Sequence, residues 1–256
     1  MNKALLNTDT ERLDDINERL RLIQRKRGLT FGTDAYLLAA FTKRINGGVA
    51  ADLGCGTGVI SLLCATRDRF SKIYACELQN AYAELTQRNV ALNGLDDRIT
   101  VLNIDVRSLT QKETDGQIDA VFTNPPYMKA ASGRENPDDE KNIARRELNG
   151  TIYEFCSAAG RLLKSGGTFY AVHRPERLCD LICAMREAKI EPKTLVYVCP
   201  DEDSEPSLVL IEGRKDGSPS IRLTRPLYIY KKGTREYTDD MNMVYDEFTL
   251  DHIVGR

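Results

Sequence analysis

No apolar run in this 256-residue chain approaches the roughly 20 residues that a membrane-spanning helix needs. The opening stretch MNKALLNTDTERLDD also lacks the apolar block of a secretory signal. Both absences lead us to expect a cytoplasmic protein without membrane partners. Neither sign of charge is in excess: 36 basic and 38 acidic residues leave a formal net charge of −2, so no overall basic field advertises nucleic acid. The seven cysteines are odd in number and include no Cys-x-x-Cys. They read as reduced, buried, small apolar side chains rather than a disulfide framework. Cys179 and Cys183 lie four apart, downstream of His173, but no further ligand at zinc spacing joins them, so no metal is expected. Repeats and low-complexity tracts are missing as well. The 41% apolar and 29% charged content is that of a globular chain, long enough for one large core or a domain with an extension.

What is present is an alternation. VAADLG (49–54), KIYACE (72–77), ITVLNI (99–104), IDAVFT (118–123), GTFYAVH (167–173), KTLVYVC (193–199) and SLVLIEG (207–213) each read as a strand. Amphipathic stretches separate them, such as AYAELTQRNVALNG (81–94), TIYEFCSAAGRLLKSGG (151–167) and PERLCDLICAMREA (175–188). Near-continuous apolar strands alternating with helices imply an α/β, doubly wound fold: a mostly parallel, seven-stranded sheet covered on both faces. Such sheets bind ligands at the carboxyl ends of their strands, where strand order reverses. We expect three segments: a helical lead-in over 1–45, the sheet domain over 46–213, and a basic extension over 214–256 on or beside that domain.

ADLGCGTGV (51–59) ends the first strand and opens a helix. Gly54, Gly56 and Gly58 permit a tight turn and close backbone approach to a ligand, although an ordinary strand-to-helix turn uses glycine in the same way. Asp52, just before them, would repel a pyrophosphate but suits a cationic group such as an amino-acid ammonium. Glu77 ends the second strand, where an acid can accept both hydroxyls of a ribose. Asp105 ends the third, where a carboxylate can accept the exocyclic amine of adenine. With their neighbours Leu78 and Val106, these residues fit a ligand bearing ammonium, ribose and adenine without a diphosphate, which describes S-adenosyl-L-methionine.

The fourth strand stops at Asn124-Pro125-Pro126-Tyr127. Prolines cannot extend a strand ladder, so the motif presents groups instead. The Asn124 side-chain oxygen and the Pro125 carbonyl can each accept one N–H of a planar amine, and Tyr127 offers a face for a base. A glycine turn, acids after strands two and three, and this motif after strand four together resemble the Rossmann-like class I methyltransferases that act on planar amino groups, over residues 49–212. That resemblance implies that Asn124 also meets the cofactor.

The flanks narrow the resemblance. LTFGTDAYLLAAF (29–41), IARRE (143–147), HRPERL (173–178) and PLYIY (226–230) resemble the bacterial tRNA1(Val) adenine-N6 methyltransferase family over almost the whole chain. The resemblance implies N6-methylation of the adenosine 3′ of the anticodon in a valine tRNA. Arg146 departs from that pattern, where histidine stands, so its role does not carry over. Phe31, Gly32 and Thr33 could form a lid over the cofactor, while Thr33 or Asp34 could equally cap a helix. Basic residues at Arg25, Lys26 and Arg27, at Arg145 and Arg146, and at Lys231 and Lys232 could grip phosphates, or form solvated faces. Other substrates stay open: a base in ribosomal RNA, adenine in DNA, or a release-factor glutamine. The last is disfavoured by the short lead-in of about 48 residues, because the release-factor enzymes carry a helical domain there. A non-catalytic RNA-binding module is the alternative of another class.

Overall fold

A computed structural model of the chain describes residues 6–26, 32–125 and 150–255. It opens on β1 (Glu11–Asn17) and β2 (Leu20–Arg25), an antiparallel hairpin, followed by α1 (Thr33–Phe41). The lead-in expected to be helical therefore contains two strands before its helix. Leu20, Leu22 and Gln24 recur at period two and are buried, a strand pattern that is short enough to be mistaken for one helical face. The turn is held by the Asn17 side-chain oxygen, which accepts the Arg19 N–H at 2.9 Å.

The hairpin docks on α3 (Asn80–Leu92) and the residue after it. Asn89 accepts the Ile23 N–H at 2.7 Å and donates to the Ile23 carbonyl at 3.1 Å. Asn93 does the same for Arg21, at 3.0 and 2.8 Å. Four helical residues rise about 6 Å and two strand residues about 6.6 Å, so the two amides meet alternate residues of β2 as a neighbouring strand would. Arg88 adds a two-pronged ion pair to Glu11, and its guanidinium holds that carboxyl below its ordinary range.

The central sheet contains β3 (Val49–Leu53), β4 (Lys72–Glu77), β5 (Ile99–Asn103), β6 (Ile118–Thr123), β7 (Leu163–His173), β8 (Ile190–Cys199) and β9 (Leu208–Lys215), with short β10 (Arg222–Leu223) and β11 (Leu227–Tyr228) on β8. The order is β10-β8-β9-β7-β6-β3-β4-β5. Strands β3 to β7 pair in parallel, and β9 runs antiparallel between β7 and β8. The seven expected strands are thus present, and the extension adds two short ones.

Consecutive strand residues face opposite ways. Ala50, Ile73, Ala75, Phe122 and Val172 meet α1, α2 (Val59–Thr66), α6 (Asp239–Glu247) and α7 (Asp251–Val254) in one core. Ala51, Tyr74, Cys76, Val121 and Ala171 meet α4 (Ile152–Leu162) and α5 (Leu178–Glu187) in the other. Helix α4 starts at a capping box between Thr151 and Glu154. It stops at Leu162, before the end of the amphipathic stretch 151–167, and β7 begins at Leu163.

Strand order reverses between β3 and β6: the chain runs β3-β4-β5 to one side, then returns to place β6 on the other. The crevice at their carboxyl ends is where a ligand of such a sheet sits.

Candidate active site

The turn after β3 fills one wall of that crevice. Its carbonyls and N–H groups are held from beneath: Gly54 and Cys55 donate to the Cys76 carbonyl at 2.9 and 3.0 Å, and Thr86 donates to the Gly56 carbonyl at 2.7 Å. Gly58, the N-cap of α2, has φ +79°. A Cβ there would lie 2.6 Å from the Thr86 Cγ2, whereas one on Gly56 would meet nothing within 4 Å. Gly56 also has a positive φ, +59°, so the left-handed backbone favours glycine at both positions; Gly58 is in addition a packing residue, and Gly56 leaves room for a ligand. Gly58→Ala should lower the melting temperature by roughly 5–10 °C, combining left-handed strain with a clash. Gly56→Ala carries the left-handed strain without the clash, so it should lower the melting temperature by less, roughly 2–6 °C, and bind S-adenosylmethionine about tenfold more weakly, as titration calorimetry would show.

Glu77, at the end of β4, accepts the Gly56 N–H on one oxygen at 3.0 Å and the Gln79 N–H on the other at 2.8 Å. Burial raises its pKa against those two donors. Each oxygen keeps a lone pair for a ligand hydroxyl. Leu78 beside it is exposed, Val106 is buried, and Phe155 of α4 approaches Gly54.

Two acids do not stand as expected. Asp52 has no solvent exposure. It accepts the Ser61 hydroxyl at 2.7 Å and the Ser61 N–H, so it caps α2 from below rather than lining an open wall. Burial pushes its carboxyl up to about 7, opposed by Ser61 and aided by the charge of Glu77. Its Oδ1 has no hydrogen-bond partner among the described residues. Asp105 is taken up by Arg107, whose Nε lies 3.0 and 2.9 Å from its two oxygens, and that guanidinium holds the carboxyl below its ordinary range. An adenine amine reaching it would share the carboxylate with Arg107.

Asn124 stands at the end of β6, directly across the switch point, with buried Pro125 next to it. Its Nδ2 donates to Asp34 Oδ2 at 3.0 Å, bridging β6 to the first turn of α1. Thr33, one residue earlier, hydrogen-bonds Tyr245 and lines a cavity of about 360 Å³ with Asn17, Tyr36 and Tyr245. A larger groove, of about 700 Å³, lies at the opposite end of the sheet by Lys112, Arg161 and Lys215, away from all of these groups.

Arg25 lies 4.9 Å over the Tyr82 ring in the first turn of α3, at the Glu77 end of the sheet. Lys26 donates to the Thr8 carbonyl at 2.7 Å. Lys231 and Lys232 follow β11 at the same end and pair with Glu236 at 3.8 Å and Asp203 at 2.9 Å. These exposed pairs are weak and leave the cations able to exchange partners. Pro126, Tyr127, Arg27, Arg145, Arg146 and Phe31 lie outside the described residues, as do residues 128–149. Cys179 and Cys183 are exposed while His173 is buried, and burial pushes that imidazole down to about 4. Among the described residues no helix is long and apolar enough to cross a membrane.

Asp34, Ser61, Thr86 and Phe155 were not legible as site residues, because each acts through a partner distant in sequence. The set as a whole fits S-adenosylmethionine: a buried carboxylate oxygen lacking a partner beneath the turn, a carboxylate with spare lone pairs after β4, and open space over Gly56.

A sheet ordered this way, with its glycine turn, acid and asparagine gathered at one switch point, defines a Rossmann-like domain of the class I methyltransferase type. A sequence model described as Methyltransferase small domain matches residues 26–187, and the chain belongs to that family. The tRNA1(Val) (adenine(37)-N6)-methyltransferase of Dyadobacter fermentans is 29% identical over 203 residues, 78% of this chain and 82% of that protein. The protein of the same name from Bacteroides fragilis is 31% identical over 147 residues, and the match spans 57% of this chain and 61% of the relative's length. Among solved structures, a predicted O-methyltransferase, Atu636 of Agrobacterium tumefaciens, superposes with TM-score 0.69 at 20% identity, covering 85% of this chain and 97% of that one. The tRNA m1G37 methyltransferase of M. jannaschii gives 0.56 at 17% identity, covering 82% and 58%. These two likenesses show the fold.

Proposed function

We propose that the chain transfers a methyl group from S-adenosylmethionine to the N6 amine of a tRNA adenosine, the base 3′ of the anticodon in a valine tRNA. The observation that carries the reading is Asn124 at the carboxyl end of β6, its amide nitrogen turned to Asp34 and its oxygen left to accept. The names of the relatives support the choice of base and of tRNA.

Bound S-adenosylmethionine supplies an electrophilic methyl on a sulfonium sulfur that departs as a neutral thioether. The chain's own part is orientation and charge. An adenine amine is a poor nucleophile because its lone pair is spread into the ring. Asn124 Oδ1 and the Pro125 carbonyl accept one N–H each, which turns that lone pair out of the ring plane. As the nitrogen gains positive charge during transfer, both acceptors bind it more strongly, so the transition state gains more than the ground state. The methylated nitrogen is strongly acidic and sheds its proton to water without a dedicated base. An anticodon-loop base is already unpaired, so turning it into the crevice costs little. Arg25 and the Lys231–Lys232 pair reach the same end of the sheet and supply phosphate contacts.

The test is methylation with labelled S-adenosylmethionine of unmodified tRNA, ribosomal RNA and release factor in parallel, with mass spectrometry of the product. N6-methyladenosine in one tRNA is expected. Label confined to ribosomal RNA or protein would overturn the substrate and leave the amine chemistry standing.

A further inference from the structure

We propose that Asp34 is the positioning residue for Asn124: its carboxylate fixes which end of the amide faces the target amine. This inference rests on the amine-methylation reading above.

The two ends of a side-chain amide are nearly equal in shape and opposite in hydrogen-bonding sense. A half-turn of the Asn124 side chain would present N–H groups to an amine that also offers N–H groups, and binding would fail. A carboxylate can only accept. With Asp34 Oδ2 at 3.0 Å, the amide nitrogen must face Asp34 and Oδ1 becomes the accepting end. A bond to an anion is about twice as strong as a neutral one, and it draws density toward Oδ1, which strengthens that acceptor as the amine gains charge.

A second observation bears on the place of this carboxylate. Gly32 is the N-cap of α1 and makes no side-chain cap. Its φ of −127° is open to any residue, so its backbone does not require glycine. A Cβ on Gly32 would instead lie 2.7 Å from Asp34 Oδ1. That oxygen accepts the Ala35 N–H at 2.9 Å. A serine or threonine cap at Gly32 would therefore have to displace the end of the Asp34 side chain.

The test uses the full chain with whichever acceptor the wild type methylates, under single turnover at saturating cofactor. Asp34→Ala should slow transfer about 30- to 100-fold, with the dissociation constants of cofactor and acceptor within about threefold of wild type. Gly32→Ala should slow it about tenfold with little change in melting temperature. Asn124→Asp sets two carboxylates face to face and should lose more than about 100-fold. The exchange Asp34→Asn with Asn124→Asp restores a donor–acceptor pair and should recover at least about tenfold over Asn124→Asp alone. A merely structural Asp34 would not give that recovery.

The side-chain amide resonance of Asn124, assigned by its loss in Asn124→Asp, should be shifted downfield and return toward free-amide values in Asp34→Ala. This readout needs no activity. An Asp34→Ala enzyme within threefold of the wild-type rate, an exchange variant no faster than Asn124→Asp, or an unmoved resonance would each overturn the inference. A wild-type protein that methylates only a non-RNA amine would overturn the substrate reading, and the same variants would then be compared on that amine. Were no acceptor methylated, the resonance alone would decide whether the pair exists.

Discussion

Asn124→Ala should lower the single-turnover methylation rate by about 10²- to 10³-fold, the range seen when one preorganised acceptor or donor is removed from a charge-developing site. The loss should fall on the chemical step. None of the contacts assigned to the cofactor at the glycine turn and Glu77 involves the Asn124 amide, so the affinity for S-adenosylmethionine should change by less than about threefold. Stopped-flow binding with rapid-quench transfer on the same preparation separates the two quantities. Equal losses of cofactor affinity and of rate would show that Asn124 holds the cofactor rather than the amine.

Asp52→Asn should make the protein more stable and a poorer binder. Raising a carboxyl from its ordinary 3.8 to about 7 corresponds to about 4 kcal/mol against the ionised form. Because the folded value is the higher one, the protonated carboxyl contributes its full stability below about pH 4, and that contribution is lost as pH rises toward about 7. Asparagine keeps an oxygen for the two Ser61 donors and carries no charge. The variant should therefore be more stable at pH 8, by about 1–3 kcal/mol or roughly 3–8 °C, and this gain should shrink toward zero by about pH 4. The buried charge that costs stability is also what attracts a cationic ligand. Affinity for S-adenosylmethionine should drop about tenfold at pH 7.5 and less at pH 5.5, where wild-type Asp52 is protonated. The ligand's own titration cancels between the two proteins. A variant no more stable at pH 8, with unchanged affinity at both pH values, would remove Asp52 from the cofactor site.

The seven strands were legible because each is a short apolar run bounded by polar or glycine-rich residues, and parallel strands buried on both faces have no other pattern. The glycine turn and Asn124 were legible for the same reason: they sit where strands must end. The hairpin was not. The buried residues of β2 lie within positions 20–24, too short a run to separate a strand from one face of a helix, and the arbiters, Asn89 and Asn93, lie more than sixty residues away. Asp105 shows the opposite difficulty. Its partner Arg107 is two residues on, but nothing in the spacing says that the side chains fold back on one another. Asp52 was read as a contact because its position before the glycines is visible, whereas its depth under α2 is a property of the packed helix.

The pairing of β2 with two asparagine side chains also fixes an order of events during synthesis. An isolated two-stranded hairpin is marginally stable at best in water. The residues that complete this one emerge 66 and 72 positions later, a delay of roughly 3–14 s at ordinary elongation rates of about 5–20 residues per second. Through that interval Ile23, which packs on Tyr82 and Leu85 of α3, lacks its cover and is open to a chaperone. Asn89 also donates to the Thr57 carbonyl at 3.0 Å, so the side chain that secures one of the first segments made also tethers the ligand-binding turn.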